Sequence, residues 1–232
     1  ASSTIIAVNV VDPPVISITK ADCECFEDDN GTATVEVTNS GGGSAPPIIF
    51  ETSYEAGVND FGGWTQLTSD QMNWTNQSGG TPSGSTGPSS ANNGNRYIYL
   101  EATNNFNKTG ILQSPSYDLS AYNSLSMSFD YHMYGIDMGI LNIKAQKDNG
   151  IWTTVWSISG NQGNVWKEQT IDLSSYTTSS NVRFRIEGIT GSNYRSDIAV
   201  DSVIIEGTSG PSYSYNWTGP GTFTGSTSTI QN

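Results

Sequence analysis

The chain is poor in charge, in cysteine and in histidine. Only 13% of its 232 residues are Asp, Glu, Lys or Arg, two are Cys and one is His. Two cysteines cannot supply a four-ligand structural zinc site. No phosphate-cradling glycine motif and no zinc-binding spacing occurs either. No apolar run approaches the roughly 20 residues that a membrane helix needs. No signal peptide is visible, so an export signal would lie upstream or have been removed. Helical periodicity is missing throughout. Cations are also few: 9 Lys and Arg face 22 acids, for a formal net charge of −13. Such a chain repels nucleic acid and anionic lipid as a whole. Its carboxylates are also the hard oxygen ligands that Ca²⁺ prefers, although solubility alone accounts for them.

Strand formers fill the remainder. Aromatics make up 10% of the chain, with 6 Trp and 11 Tyr, and β-branched residues alternate with Ser, Thr and Asn. That composition suits short strands joined by polar turns. Thr4 to Val11, Val15 to Thr19 and Thr32 to Thr38 read as strands, the first ended by Pro13-Pro14 because proline cannot donate to a ladder. Asp28-Asp29-Asn30-Gly31 reads as a tight turn, since Asn-Gly tolerates positive φ. Aligned on a calcium loop, this segment puts Phe26 and Val37 at ligand positions, which rules that motif out. Cys23 and Cys25 share a face if extended; they are the disulfide candidates, though a direct bond between them would be strained.

A Gly/Ser/Pro linker at Gly41 to Pro47 and another at Gly207 to Pro211 bracket a longer stretch. Within it Ile48 to Glu51 looks like a strand. Arg96 to Ala102, Ser124 to Tyr134, Ile140 to Gln146, Trp152 to Ile158, Val165 to Leu173, Val182 to Gly188 and Ile198 to Glu206 all alternate. Gly79 to Asn95 reads as a long loop. The pattern predicts an antiparallel sandwich or jelly roll. The one histidine, His132, lies inside a strand block with no nucleophile-elbow signal. Glu101, Asp130, Glu187 and Asp201 are scattered singly, without the triplet of carboxylates on one strand face that would suggest a glycosidase. No catalytic residues are therefore expected. Trp64, Trp74 and Trp156 could stack on sugars or fill a core. Asp201-Ser202-Val203 matches a short bacterial O-glycosylation motif.

From Phe50 to Glu206 the sequence resembles a MAM domain. The resemblance is carried by Phe50-Glu51, FGGWTQ at Phe61 to Gln66, Asn73-Trp74-Thr75, GGTPSGSTGP at Gly79 to Pro88, YIYLEAT at Tyr97 to Thr103, LQSP at Leu112 to Pro115, FDYHMYGIDMGILNI at Phe129 to Ile143, QGNVWKEQTIDL at Gln162 to Leu173 and DIAVDSV at Asp197 to Val203. It implies an antiparallel jelly roll of extracellular proteins, used for adhesion or assembly. Family members usually carry paired cysteines, one just before the position of Gly63-Trp64; this segment has none. Some MAM-like and related jelly rolls hold a structural Ca²⁺ with acids near the first and last strands. Glu51 and Asp201 fall there, with Asp60 and Asp197 as additions.

The flanks resemble two parts of one SprB-type repeat, the immunoglobulin-like repeat of surface adhesins of gliding Bacteroidetes. ISITKADCECFEDDNGTATVEVTNSGG resembles its first half and PSYSYNWTGPGTFTGSTSTIQN its middle. The expected final strand is missing after Asn232, while a similar strand stands at Ser3 to Asp12. The expected architecture is all-β: a MAM-like jelly roll (48–207) inserted into a smaller immunoglobulin-like β-sandwich (15–47 and 208–232), with 1–14 as a terminal or donor strand. The groove left by the missing strand would be filled by Thr4, Ile5, Ile6, Val8 and Val10, within the chain, from an adjacent repeat, or from a neighbouring copy. A head-to-tail contact of that kind builds an open filament. The chain thus reads as a non-enzymatic module of a secreted surface adhesin or filament. Its partners would be copies of itself or adjacent repeats, and surface glycans or other cells, with no nucleic acid and no membrane insertion. The competing reading is a carbohydrate-binding module or the accessory domain of a secreted polysaccharide hydrolase.

Overall fold

A computed structural model describes residues 47–209 throughout, together with the backbone of five flanking strands. Two compact units emerge, one from residues 47–210 and one from 1–46 with 211–232. In the smaller unit β1 (Val15–Ala21) and β2 (Thr32–Thr38) pair antiparallel, Val15 opposite Thr38 and Ala21 opposite Thr32. The period-two pattern read in both segments fits such a ladder.

The larger unit is two antiparallel sheets. Its strands are β3 (Ile48–Thr52), β4 (Thr65–Gln66), β5 (Thr75–Ser78), β6 (Arg96–Leu100), β7 (Thr109–Gln113), β8 (Ser124–Met133), β9 (Ile140–Lys147), β10 (Thr153–Ser159), β11 (Lys167–Asp172), β12 (Val182–Ile189) and β13 (Ile198–Thr208). A short 3₁₀ turn, Ser174–Tyr176, follows β11. One sheet runs β10-β9-β12-β7-β4; the other runs β11-β8-β13-β6-β5, with β3 added along β13. This is the expected jelly-roll sandwich. Past it, β14 (Trp217–Thr218) pairs with β15 (Thr224–Gly225). The last strand, β16 (Thr229–Gln231), joins the free side of β2, with Thr229 opposite Thr34. The two flanks therefore share one three-stranded sheet, β1-β2-β16. Cys23, Cys25, the Asp28–Gly31 turn and Thr4, Ile5, Ile6, Val8 and Val10 lie outside the described residues.

Alternation decides which side chains meet between the sheets. Leu141, Ile143 and Ala145 of β9 and Val182, Phe184 and Ile186 of β12 face Met127, Phe129, Tyr131 and Met133 of β8, and all belong to one buried core. Trp74 and Trp64 fill it further, at 2% and 5% exposure. Each such buried side chain contributes roughly 1.5–3 kcal/mol through removal from water, which replaces the cystine bracing that the family resemblance led one to expect. Trp74 Nε1 donates to Gly110 O at 3.2 Å, so the indole enters the core with its polar atom satisfied. Gly188 leaves room for this ring: a Cβ there would stand 2.4 Å from Leu100 and 3.2 Å from Trp74.

Strand β13 breaks its alternation once. Opposite β8 the register shifts between Asp201 and Ile204, and Ser202 takes φ of 50°. This bulge accommodates one extra residue. Val200 and Val203 both point into the core, while Asp201 is turned to the outer face.

Candidate functional site

Part of the outer face of the six-stranded sheet is covered, while the outward side chains of β11 stay exposed. Strand parity places Tyr97 and Tyr99 of β6, Asp130 and His132 of β8 and Ala199 and Asp201 of β13 on it. The 79–95 segment crosses over them. Tyr97, Tyr99 and Ala199 form a second small cluster with Ala91 and Trp166 against it. Acids tie the segment down. Asp201 Oδ2 accepts the N–H groups of Asn92 and Asn93 at 3.0 and 2.9 Å, and its Oδ1 accepts that of Ser202 at 2.8 Å. Asn92 Nδ2 donates to Asp130 Oδ2 at 2.7 Å. The Thr86 hydroxyl donates to Tyr134 O and accepts the Asp197 N–H, both at 2.9 Å. Trp166 Nε1 donates to Ser90 O at 3.0 Å, and Glu55 Oε1 accepts from the Asn95 and Arg96 N–H groups.

Two of these carboxyls are held in an environment that penalises their charge. Burial pushes Asp201 up to about 6 against the pull of its three backbone N–H bonds, and Asp130 across the ladder pushes it further. Burial likewise raises Asp197 to about 6, with Glu101 adding to the rise and the Ala102 N–H opposing it. Asp197 Oδ1 accepts that N–H at 2.9 Å, while its Oδ2 is enclosed without a partner. His132 is 2% exposed. Its Nε2 meets Asn164 Oδ1 at 3.1 Å, its Nδ1 has no partner, and burial lowers its pKa.

The four acids expected to share a Ca²⁺ are spread out in function. Glu51 stands exposed on β3, opposite Ile204. Asp60 closes its own turn, accepting the N–H groups of Ala56 and Gly62 at 2.9 Å each. Asp201 is saturated by backbone donors, which offer it positive charge without an ion. Among the described residues no three His, Cys, Asp or Glu side chains gather as a metal-binding group. The acids read as singly scattered do converge, however. Asp130 lies opposite Asp201, and Glu101 adjoins Asp197. Spacing along one strand cannot reveal pairing across strands. Ser202 Oγ is buried, so the Asp201-Ser202-Val203 motif is not presented for glycosylation.

The tryptophans also sort differently from a sugar-stacking set. Trp64 and Trp74 are core residues. Trp156 packs edge-on against Phe129, with ring centroids 5.2 Å apart. Trp152, just before β10, meets polar groups on the outer face of the five-stranded sheet. The Arg185 guanidinium lies 3.9 Å from its ring centroid, and Arg185 Nε donates to Gln113 Oε1 at 2.9 Å. Beside them Glu187 accepts from Lys144 Nζ at 2.9 Å and from Asn142 Nδ2 at 3.0 Å. Ser157 Oγ donates to Asn142 Oδ1 at 2.6 Å. Among the described residues no loop segment hydrogen-bonds across these groups as 79–95 does on the other sheet. Sequence reasoning missed this constellation because its members come from β7, β9, β12 and the start of β10.

Comparison with known proteins fits this architecture. The family model for the MAM domain, meprin/A5/mu, matches residues 50–210. MAM domain-containing glycosylphosphatidylinositol anchor protein 1 of Homo sapiens is 34% identical over 155 residues, covering 62% of this chain and 16% of that protein. Neuropilin-1a of Danio rerio is 33% identical over 153 residues, with 62% and 16% covered. The chain thus spans about a sixth of the length of these relatives. Among solved structures, a cleaved adhesin domain of Lys-gingipain from Porphyromonas gingivalis resembles it in shape at a TM-score of 0.48 and 16% identity, covering 68% of this chain and 98% of that one. A xylan-binding domain from Paenibacillus barcinonensis does so at 0.47 and 13%, covering 73% and 100%. On the family match, which takes in both sheets and every core strand, this chain belongs to the MAM domain family.

Proposed function

We propose that this chain is a non-enzymatic adhesive module of an extracellular or cell-surface protein. Membership of the MAM family over residues 50–210 carries the reading. The glycosylphosphatidylinositol anchor in the name of a relative at 34% identity supports a cell-surface setting. The chemistry of the larger unit points the same way. Its single histidine is enclosed and its buried carboxyls are engaged in fastening a loop, which serves binding better than turnover.

The flanks form the second part of the reading: an immunoglobulin-like repeat of the SprB type, as in Bacteroidetes adhesins, interrupted by the jelly roll. The pairing of β16 with β2, across the whole insert, supports a single split unit. Thr4 to Val11 would complete that unit in the next copy or adjacent repeat, linking modules head to tail. Beads coated with the full chain should attach to a cell or polysaccharide surface, and light scattering should show mass growing with concentration. Lack of attachment to any surface removes the adhesive function; a monomer at all concentrations removes the linkage between copies. A structural Ca²⁺ is part of this proposal, with Asp197 Oδ2 as a buried oxygen without a partner to meet it, and melting in EDTA against CaCl₂ tests it.

A further inference from the structure

The charges of the jelly roll are sorted between its two outer faces. By strand parity the six-stranded sheet turns Glu51, Asp130, Glu168, Asp172, Asp201 and Glu206 outward and no cation. The five-stranded sheet turns out Lys144, Arg183 and Arg185 with one acid, Glu187. That acid is already engaged by Lys144 at 2.8 Å. In a chain of net charge −13 this is a cationic face, and at the Debye length of about 8 Å in physiological salt its local field governs a ligand in contact with it.

The face is also ordered. Gln113 on β7, Arg185 on β12, Lys144 on β9 and Thr154 on β10 stand in one register row, a span of about 14 Å at the usual strand spacing, and Trp152, two residues before Thr154, reaches Arg185 diagonally. Arg185 is fixed between an amide oxygen that accepts a hydrogen bond from its Nε–H and an indole ring beneath its Cζ. The bound atom is Nε, so the two Nη groups are left as a fork of donors, a geometry that matches two oxygens of a carboxylate or sulfate. Arg183 stands two residues along the same strand, about 7 Å away. Amide and hydroxyl groups of Asn142, Gln146 and Ser157 line the same surface, as recognition of sugar hydroxyls requires.

We propose that the outer face of the five-stranded sheet is a binding site for an anionic polysaccharide, with Arg185 gripping the acid group, Trp152 and Gln113 orienting Arg185, and Lys144 and Arg183 extending the contact along the chain of sugars. The proposal rests on the reading of the chain as a binding module and names its ligand class. Carboxylate and sulfate share the required chemistry.

Affinity electrophoresis of the full chain in gels containing polygalacturonate, dextran sulfate, neutral dextran or xylan tests it. Retardation is expected with one or both polyanions, weakening with added salt, and none with the neutral polymers. Which polyanion retards more tells carboxylate from sulfate. Arg185→Gln should lower affinity at least tenfold and Arg185→Lys at least threefold, because a point charge does not reproduce the fork. Trp152→Phe should bind more weakly with an unchanged melting temperature, and the wild-type tryptophan emission should shift on binding while that of Trp152→Phe does not. Retardation equal in neutral and anionic gels, equal retention by duplex DNA, or wild-type affinity in a folded Arg185→Gln chain would each overturn the site. Bead attachment separates the two levels. Attachment that survives Arg185→Gln keeps the adhesive module and removes this site, whereas Arg185-dependent retardation without bead attachment keeps the site and removes the adhesive role.

Discussion

Asp201 and Asp130 stand opposite each other on β13 and β8, and Asn92 joins them, its N–H on Asp201 Oδ2 and its Nδ2 on Asp130 Oδ2. A loop residue is thus seated on two carboxyls, through its backbone on one and its side chain on the other, and burial raises the pKa of Asp201 to about 6. The fastening of the 79–95 segment is for that reason sensitive to protons.

The first prediction concerns pH. Native Asp197 and Asp201 take up a proton near 6, whereas the unfolded chain does so near 3.9. Between these values the folded state binds more protons, so stability rises as pH falls from 7.5 towards 4. His132 acts in the opposite sense. Its native pKa is lowered, so the unfolded chain gains a proton first near 6.5 and stability is lost as pH falls through that value. Two carboxyls outweigh one imidazole. A net gain of roughly 1–2 kcal/mol, discounted for screening, should raise the midpoint of the larger unit by about 2–6 °C between pH 7.5 and 5. Calorimetry across that range checks the sign, and a fall in midpoint would refute it.

Asp197→Asn separates the two acids. Asn keeps an oxygen for the Ala102 N–H and places an amide where Oδ2 has no partner and Glu101 is near. The variant should melt higher than wild type at pH 7.5 by a few degrees, and the difference should vanish by about pH 4, where wild-type Asp197 is neutral. Melting curves at the two pH values decide it.

Gly191 marks the tightest approach of backbone to backbone. A Cβ there would lie 1.5 Å from Asp137 O, and at Gly139 1.9 Å from Ile189 O. Neither contact is to a flexible side chain. Gly191→Ala or Gly139→Ala should cost about 3 kcal/mol or more, read as an early loss of near-ultraviolet circular dichroism on heating. Gly160→Ala meets no atom but sits at φ of 76°, and should cost only about 1 kcal/mol.

Residues 47–209 should fold alone. Every member of the main core lies among them, and the compact unit is closed by its own contacts. Expressed separately, this segment should keep cooperative melting within a few degrees of its transition in the full chain. Removing 211–232 should instead deprive β2 of its partner β16 and abolish any separate transition of the smaller unit.

Much of the architecture was legible in alternation. Ser124 to Tyr134, Ile140 to Gln146 and Ile198 to Glu206 correspond to β8, β9 and β13 within a residue or two, because each buries one face. β7 escaped notice: its Gly110 leaves only Leu112 as a fully buried apolar side chain, so its period is too brief to register. β4 and β5 are shorter still and polar. Trp64 and Trp74 could not be told from surface platforms, since burial of an aromatic depends on what packs over it. The Trp152–Arg185 pair was hidden because its partners come from strands 33 positions apart in the chain, and only register brings them together.

One hydrogen bond has a mechanical consequence. Gly207 N donates to Pro47 O at 3.2 Å, so the jelly roll leaves and rejoins the flanking chain at adjacent points. Pro47 and Gly207 lie at one end of the β3–β13 ladder, where Ile48 stands opposite Glu206, so a pull on the two ends of the larger unit would open that ladder from its end, one rung at a time.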